Sequence, residues 1–181
     1  MDSITVGAQN LSITQLGVWD QGSNGLSNSH AVGLWSSATQ TLLGSVTVPA
    51  GTGATVVGEF RYVSLNVPVT LVAGSTYVLA AVYAANSSDA WIDRNYFDGD
   101  PNNNATFSSA ITGTLPLYQD GSSLIFPTIT TDGNTNAFGV ANAIYGSAIP
   151  EPSTYAIIVG AFSLAGAIYY RRKHSSVKPA V

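Results

Sequence analysis

The 181-residue chain contains no cysteine, has only 9% charged residues and carries a formal net charge of −4. It has room for one ordinary domain plus an appendage, and disulfides, thiolate chemistry and cysteine-ligated zinc are excluded. Four of the six basic residues (Arg171, Arg172, Lys173 and Lys178) fall in the last eleven positions, leaving Arg61 and Arg94 against ten carboxylates in residues 1–170, a formal charge of −8. A body so poor in positive charge cannot gather a phosphate backbone by counterion release, so nucleic acid is set aside as a partner.

The opening residues, Met1 to Val6, have neither a basic n-region nor an apolar h-region and do not read as a secretory signal peptide. Strands are expected over residues 11–19, 31–35, 42–48, 56–65, 69–72, 76–84, 115–118, 124–129 and 138–145, with glycine and asparagine punctuating nearly every gap. In the run Tyr77 to Tyr83 both alternating faces are apolar. That strand should be central, covered on one side by a second sheet and on the other by a long loop. The pattern predicts a mainly β fold over residues 1–148, an antiparallel, jelly-roll-like β-sandwich, followed by a single C-terminal transmembrane helix. Any site is expected in the long irregular segments, Gln21 to Ser29 and Asn86 to Asn104.

The second of these segments is dense in oxygen donors. Asp98, Asp100, Asn102 and Asn104 recur at every second position, the alternation by which a curled loop turns ligands toward a hard cation such as calcium. It departs from an EF-hand at Asn103, where glycine is needed, and at Ser109, where a bidentate glutamate is needed; a plain Asn-rich turn is the alternative. Trp91, Tyr96 and Phe97 lie in the same segment. Aromatic rings beside Asp and Asn suit a sugar-binding face, although such rings also serve simply to anchor a loop.

Catalytic constellations are thin. Only His30 and His174 are present, and a Ser-His-Asp triad would need His30, with Asp20 ten residues before it. No serine stands in a nucleophile elbow, so His30 is expected to start a strand and hydrogen-bond a loop. The two glutamates, Glu59 and Glu151, are far apart in sequence, and no glycine-rich phosphate loop is found. The chain does not read as an enzyme.

Near the C-terminus, Ala156 to Tyr170 is an uncharged run broken only by Ser163, flanked by Tyr155 and by Arg171-Arg172-Lys173. Its fifteen residues make a helix of roughly 22 Å, short of a hydrocarbon core of about 30 Å. A buried core helix is the competing reading. Interfacial tyrosines, small residues at Gly160, Ala161, Ala165 and Gly166, and the basic cluster favour a membrane helix with a cytoplasmic C-terminus, which places residues 1–150 outside. Just ahead stands Pro150-Glu151-Pro152-Ser153-Thr154, an extended and accessible segment.

Pro150-Glu151-Pro152, the apolar run and Arg171-Arg172-Lys173, in that order over residues 149–173, resemble the PEP-CTERM sorting signal. Residues 174–181 would then be a cytoplasmic tail. The resemblance implies export, recognition by an exosortase at the Pro-Glu-Pro motif and release from the inner membrane to the cell surface or beyond. Residues 10–85, with Leu16-Gly17-Val18-Trp19-Asp20, His30-Ala31-Val32-Gly33-Leu34-Trp35 and Phe60-Arg61-Tyr62, resemble an uncharacterised β-sandwich domain often found ahead of such a tail. The expected function is a structural or adhesive protein of the cell envelope or an extracellular polysaccharide matrix. A carbohydrate-binding module on the 86–104 loop is the alternative, and a secreted polysaccharide hydrolase the third reading.

Overall fold

The computed structural model describes residues 2–84, 87–89, 109–119, 121–130, 141–147, 163–164 and 168–172. The chain falls into two compact units, residues 1–148 and 149–181. The strands of the first unit are β1 (Asp2–Val6), β2 (Leu11–Trp19), β3 (His30–Ser36), β4 (Leu42–Val48), β5 (Thr55–Val57), β6 (Phe60–Leu71), β7 (Thr76–Ala81), β8 (Ile111–Tyr118), β9 (Ile129–Thr130) and β10 (Ala141–Ser147). They form a six-stranded sheet ordered β4-β3-β7-β1-β8-β9 and a four-stranded sheet ordered β10-β2-β6-β5. Every pairing is antiparallel.

One core lies between the sheets, as in a β-sandwich. Ile4, Val6, Val32, Leu34, Val48 and Leu79 come from the larger sheet, and Leu11, Ile13, Leu16, Val18, Leu71 and Ala141 from the smaller. On β2 the buried set changes phase, from Leu11 and Ile13 to Leu16 and Val18. A strict two-residue period would turn one of these pairs outward. The register supplies the correction: Ile13 faces Tyr145 and Gln15 faces Ile144, so Thr14 is an extra residue opposite β10. Its hydroxyl donates to the Ile144 carbonyl at 3.3 Å. On the other side Ile13 pairs with Val69 and Gln15 with Ser64, so residues 65–68 of β6 bow out of the ladder. Pro68, which has no N–H to give, is accommodated in that bow.

β7 is central and apolar on both faces, as its sequence predicts. Tyr77, Leu79 and Ala81 join the core between the sheets. Val78 and Ala80, with Trp35, form a second cluster covered by Leu117, Leu124 and Phe126. Trp35 meets Phe126 edge-on, with centroids 6.5 Å apart and planes at 81°.

The strands differ from the expected set in four places. The opening residues form β1, hydrogen-bonded between β7 and β8 in the middle of the larger sheet. The strand expected over 56–65 is a hairpin, broken at Gly58, whose φ of +61° suits the first position of a two-residue turn joining β5 to β6. The separate strand expected at 69–72 is largely the end of β6, which runs through Pro68. Residues 124–128, expected as strand, are irregular: Pro127 is fully buried there, and Leu124 and Phe126 serve as a cover. No helix among the described residues is long and apolar enough to cross a membrane. Most of residues 156–170 lie outside the description.

Gly17 pairs with Tyr62, whose ring lies across it. A Cβ there would stand 2.5 Å from Tyr62 Cδ1 and 2.8 Å from the Arg61 carbonyl. Gly17→Ala should therefore lower stability by about 1–3 kcal/mol through overpacking, read from urea midpoints. An unchanged midpoint would mean that the ring moves aside freely.

Candidate functional site

At one end of the sandwich β2 and β7 leave the sheets and β3 and β6 enter them. Among the described residues, Ser3, Asp20, His30 and Arg61 are polar or charged yet buried, and the last three gather at this end. Burial of an ionised group is costly unless it is paired and hydrogen-bonded, so the partners of each decide what it does.

Asp20 follows the last residue of β2. Its Oδ2 accepts from Arg61 Nε at 2.6 Å, with the two side chains 3% and 2% exposed. Both carboxylate oxygens also accept from the Gly25 N–H, at 3.3 and 3.1 Å. Arg61 directs three further donors at carbonyls, Nη1 at Thr52 and Ala54 and Nη2 at Ser23. One guanidinium thus fastens the 21–25 turn and the 49–54 loop to the end of β2. Alongside, Glu59 in the β5–β6 turn accepts from Trp19 Nε1 at 3.3 Å and from the Gly22 N–H at 3.1 Å.

His30 begins β3 and does hydrogen-bond a loop. Its Nδ1 lies 2.9 Å from the Val82 carbonyl and its Nε2 2.9 Å from Asp89 Oδ2. Carbonyl and carboxylate both accept, so making both bonds requires a proton on each ring nitrogen. Asp89 also accepts from the N–H groups of Ser27 at 2.6 Å and Asn28 at 2.9 Å, and from Ser87 Oγ at 3.3 Å. Burial pushes its pKa up, but the Ser27 N–H, the His30 side chain and the Asn28 N–H outweigh that and hold the carboxyl down at about 2. Asp89 is therefore the clasp between the two long irregular segments.

Tyr83 packs against His30 with ring centroids 4.4 Å apart. Its buried hydroxyl has no hydrogen-bond partner among the described residues. Burial, then the Asp89 and Asp20 carboxylates, push its pKa far up, so it stays a neutral phenol.

Beside this network lies a hollow of about 160 Å³ lined by Trp19, Asp20, Gln21, Asn24, Gly25, Leu26, Ser27, Ser88 and Asp89. The oxygens of Asp20 and Asp89 that line it already accept bonds from Arg61, His30 or backbone N–H groups. Neither carboxylate is left as an isolated acid or base. No group of three or more His, Cys, Asp or Glu suited to a metal occurs among the described residues.

Of the residues expected from sequence, Asp98, Asp100, Asn102, Asn104, Trp91, Tyr96, Phe97, Pro150, Glu151, Pro152 and Lys173 lie outside the described residues. Arg171 and Arg172 are helical, as are residues 168–170, of which Ile168, Tyr169 and Tyr170 are exposed. The Asp20–Arg61 and His30–Asp89 pairs went unanticipated as pairs. The available signal was the scarcity of base, since a body with two arginines has few cations to pair with a carboxylate.

The family described as "Domain of unknown function (DUF4082)" matches residues 6–138, and the chain belongs to it. No curated protein and no solved structure matches the chain.

Arg61→Met would leave the buried Asp20 charge without its cation and should lower stability by about 3–5 kcal/mol, measured by urea unfolding. A loss below about 1 kcal/mol would show that the pair does not hold these loops. The Asp89 carboxyl is depressed in the folded chain, from 3.8 to about 2, so its contribution is complete above pH 3.8 and is lost as pH falls toward about 2. The stability of Asp89→Asn should lack that fall, as seen by thermal melts across the window.

Proposed function

We propose that this DUF4082 chain is a surface or extracellular-matrix protein with a structural or adhesive role, exported and processed by an exosortase, and without catalysis of its own. The observation that carries the reading is the order of parts over residues 149–173: Pro150-Glu151-Pro152, the apolar run and Arg171-Arg172-Lys173. The apolar run acts as a membrane helix before processing, held at the interface by Tyr169 and Tyr170 and oriented by the basic cluster. Residues 1–148 are then the displayed domain, delivered first to the inner membrane and then to the cell surface or beyond.

The geometry of the first unit agrees with a display role. Its buried charges are occupied in fastening loops, and the chain passes between the sheets from β1 to β2, β2 to β3, β4 to β5, β6 to β7 and β9 to β10, which supports a jelly-roll-like sandwich. An arrangement of this kind presents a loop end fastened by its own buried side chains.

The test is the intact mass and membrane partition of the chain behind a supplied signal peptide, in hosts with and without an exosortase. Loss of the tail beyond the Pro150-Glu151-Pro152 region only when the enzyme is present is the expected result. A chain that remains whole and soluble in both hosts would make residues 156–170 a core helix and end the sorting reading.

A further inference from the structure

We propose that His30 is a proton-operated clasp: with a proton on each ring nitrogen it ties both Val82 and Asp89 to the start of β3, and with one proton gone it lets Val82 go and holds Asp89 less firmly. The residue is 1% exposed and stands at the first position of β3. Nδ1 lies 2.9 Å from the Val82 carbonyl oxygen, just past the end of β7, and Nε2 lies 2.9 Å from Asp89 Oδ2. Asp89 is braced in turn by Ser87, whose Oγ accepts from the Asp89 N–H at 3.2 Å and donates to Oδ2 at 3.3 Å. The Ser87 N–H donates to the Ala84 carbonyl at 2.9 Å. One side chain thus spans the two ends of this stretch.

Both partners are acceptors. A carbonyl always is, and the Asp89 carboxyl, held down at about 2, stays ionised in all but strong acid. A neutral imidazole offers one N–H and one lone pair, so neither neutral tautomer can make both bonds. The ring in this geometry is an imidazolium. Removing one proton turns a lone pair on one of the two oxygens. Facing the full charge of a carboxylate costs more than facing a carbonyl dipole, so Asp89 keeps the Nε2–H and the Val82 carbonyl loses its donor. Asp89 also loses the positive charge opposite it, and that bond weakens.

The neighbours do not take over this role. The Tyr83 ring lies 4.4 Å from the His30 ring, and its phenol, pushed far up by burial and by the Asp89 and Asp20 carboxylates, stays neutral. Asp20 is bonded to Arg61. β4 sets Val48 opposite His30 and carries no charged residue. Of these groups, histidine is the one whose charge ordinarily changes between about pH 5 and about pH 8. Ser88 and Asp89 line the hollow, and Asp89 also holds the N–H groups of Ser27 and Asn28. Slackening the clasp therefore loosens one wall of the hollow, while the Asp20–Arg61 pair keeps the other. The loop end is set firm in acid and slack in base. This device goes beyond the sorting reading and does not depend on it.

In the full chain in detergent, proton NMR of the imidazole N–H groups reads the clasp directly, because buried, hydrogen-bonded ring protons exchange slowly. His30→Gln identifies the two signals by removing them. The expected result is two His30 ring N–H signals at about pH 5 and loss of the Nδ1–H signal by about pH 9, a span that contains the usual charge change of histidine, with the Tyr83 amide shifting in step. Asp89→Asn supplies a second reading. Its amide can donate to an unprotonated Nε2, so a neutral ring makes both bonds and the Nδ1–H signal should survive to about pH 9. Two signals across the whole range in the unsubstituted chain would show that the ring never releases a proton, and one signal at every pH would show that it never bridges. Loss of the Nδ1–H signal in Asp89→Asn, as in the unsubstituted chain, would show that the carboxylate does not set the switch. Each of these three results overturns the proposal.

Discussion

The contact between the Arg61 guanidinium and the Asp20 carboxylate governs the loop end of this domain. Both groups are almost wholly removed from water, and an ion pair so placed contributes little unless its other donors and acceptors are also used. Here they are used on backbone. The charged hydrogen bonds run to the Gly25 N–H and to the carbonyls of Ser23, Thr52 and Ala54, so segments without regular structure acquire one arrangement. The 21–25 turn needs this help. It contains three residues with positive φ, Gly22 at +73°, Ser23 at +53° and Gly25 at +109°, and has no side-chain cap at Asp20.

His30 and Asp89 repeat the device on the other sheet. In both cases an aspartate from outside the strands binds a basic side chain at the start of a strand and accepts N–H bonds from the 25–28 loop. The two networks together leave a small polar hollow whose carboxylates already accept hydrogen bonds. A satisfied polar network of this kind rigidifies and specifies. Its partial disruption exposes a buried charge, and for that reason the loop end should tolerate substitution on its rim far better than at its four ionic members.

Much of the sandwich was legible in the sequence because alternation reports burial directly. β2 and β4 were readable to their ends, and the doubly apolar Tyr77 to Tyr83 run gave a central strand covered on both faces. The misreadings came where backbone geometry overrides side-chain pattern. Val56 to Leu65 reads as one strand until Gly58 is recognised as a turn residue, and Leu124 to Ile129 has strand composition, yet its apolar residues serve as a lid on Trp35. β1 offers only five residues of pattern, in which Ile4 and Val6 alternate as a strand requires. The ionic pairs were illegible for another reason: Asp20 and Arg61 are 41 residues apart and His30 and Asp89 are 59 apart, and spacing carries no sign of a contact that only the fold creates.

The position of β1 has a kinetic consequence. Its partners are β7 and residues 111–116 of β8, while Leu11 on β2 pairs with Ser147 on β10. Both sheets are therefore closed by pairings between the first and last parts of the domain, a topology of high contact order that folds slowly and only after loops of about a hundred residues have been closed. Until residue 147 has been made, the smaller sheet lacks its edge strand β10. The complete sandwich is thus a late product of synthesis, assembled only once the last strand of the domain is available.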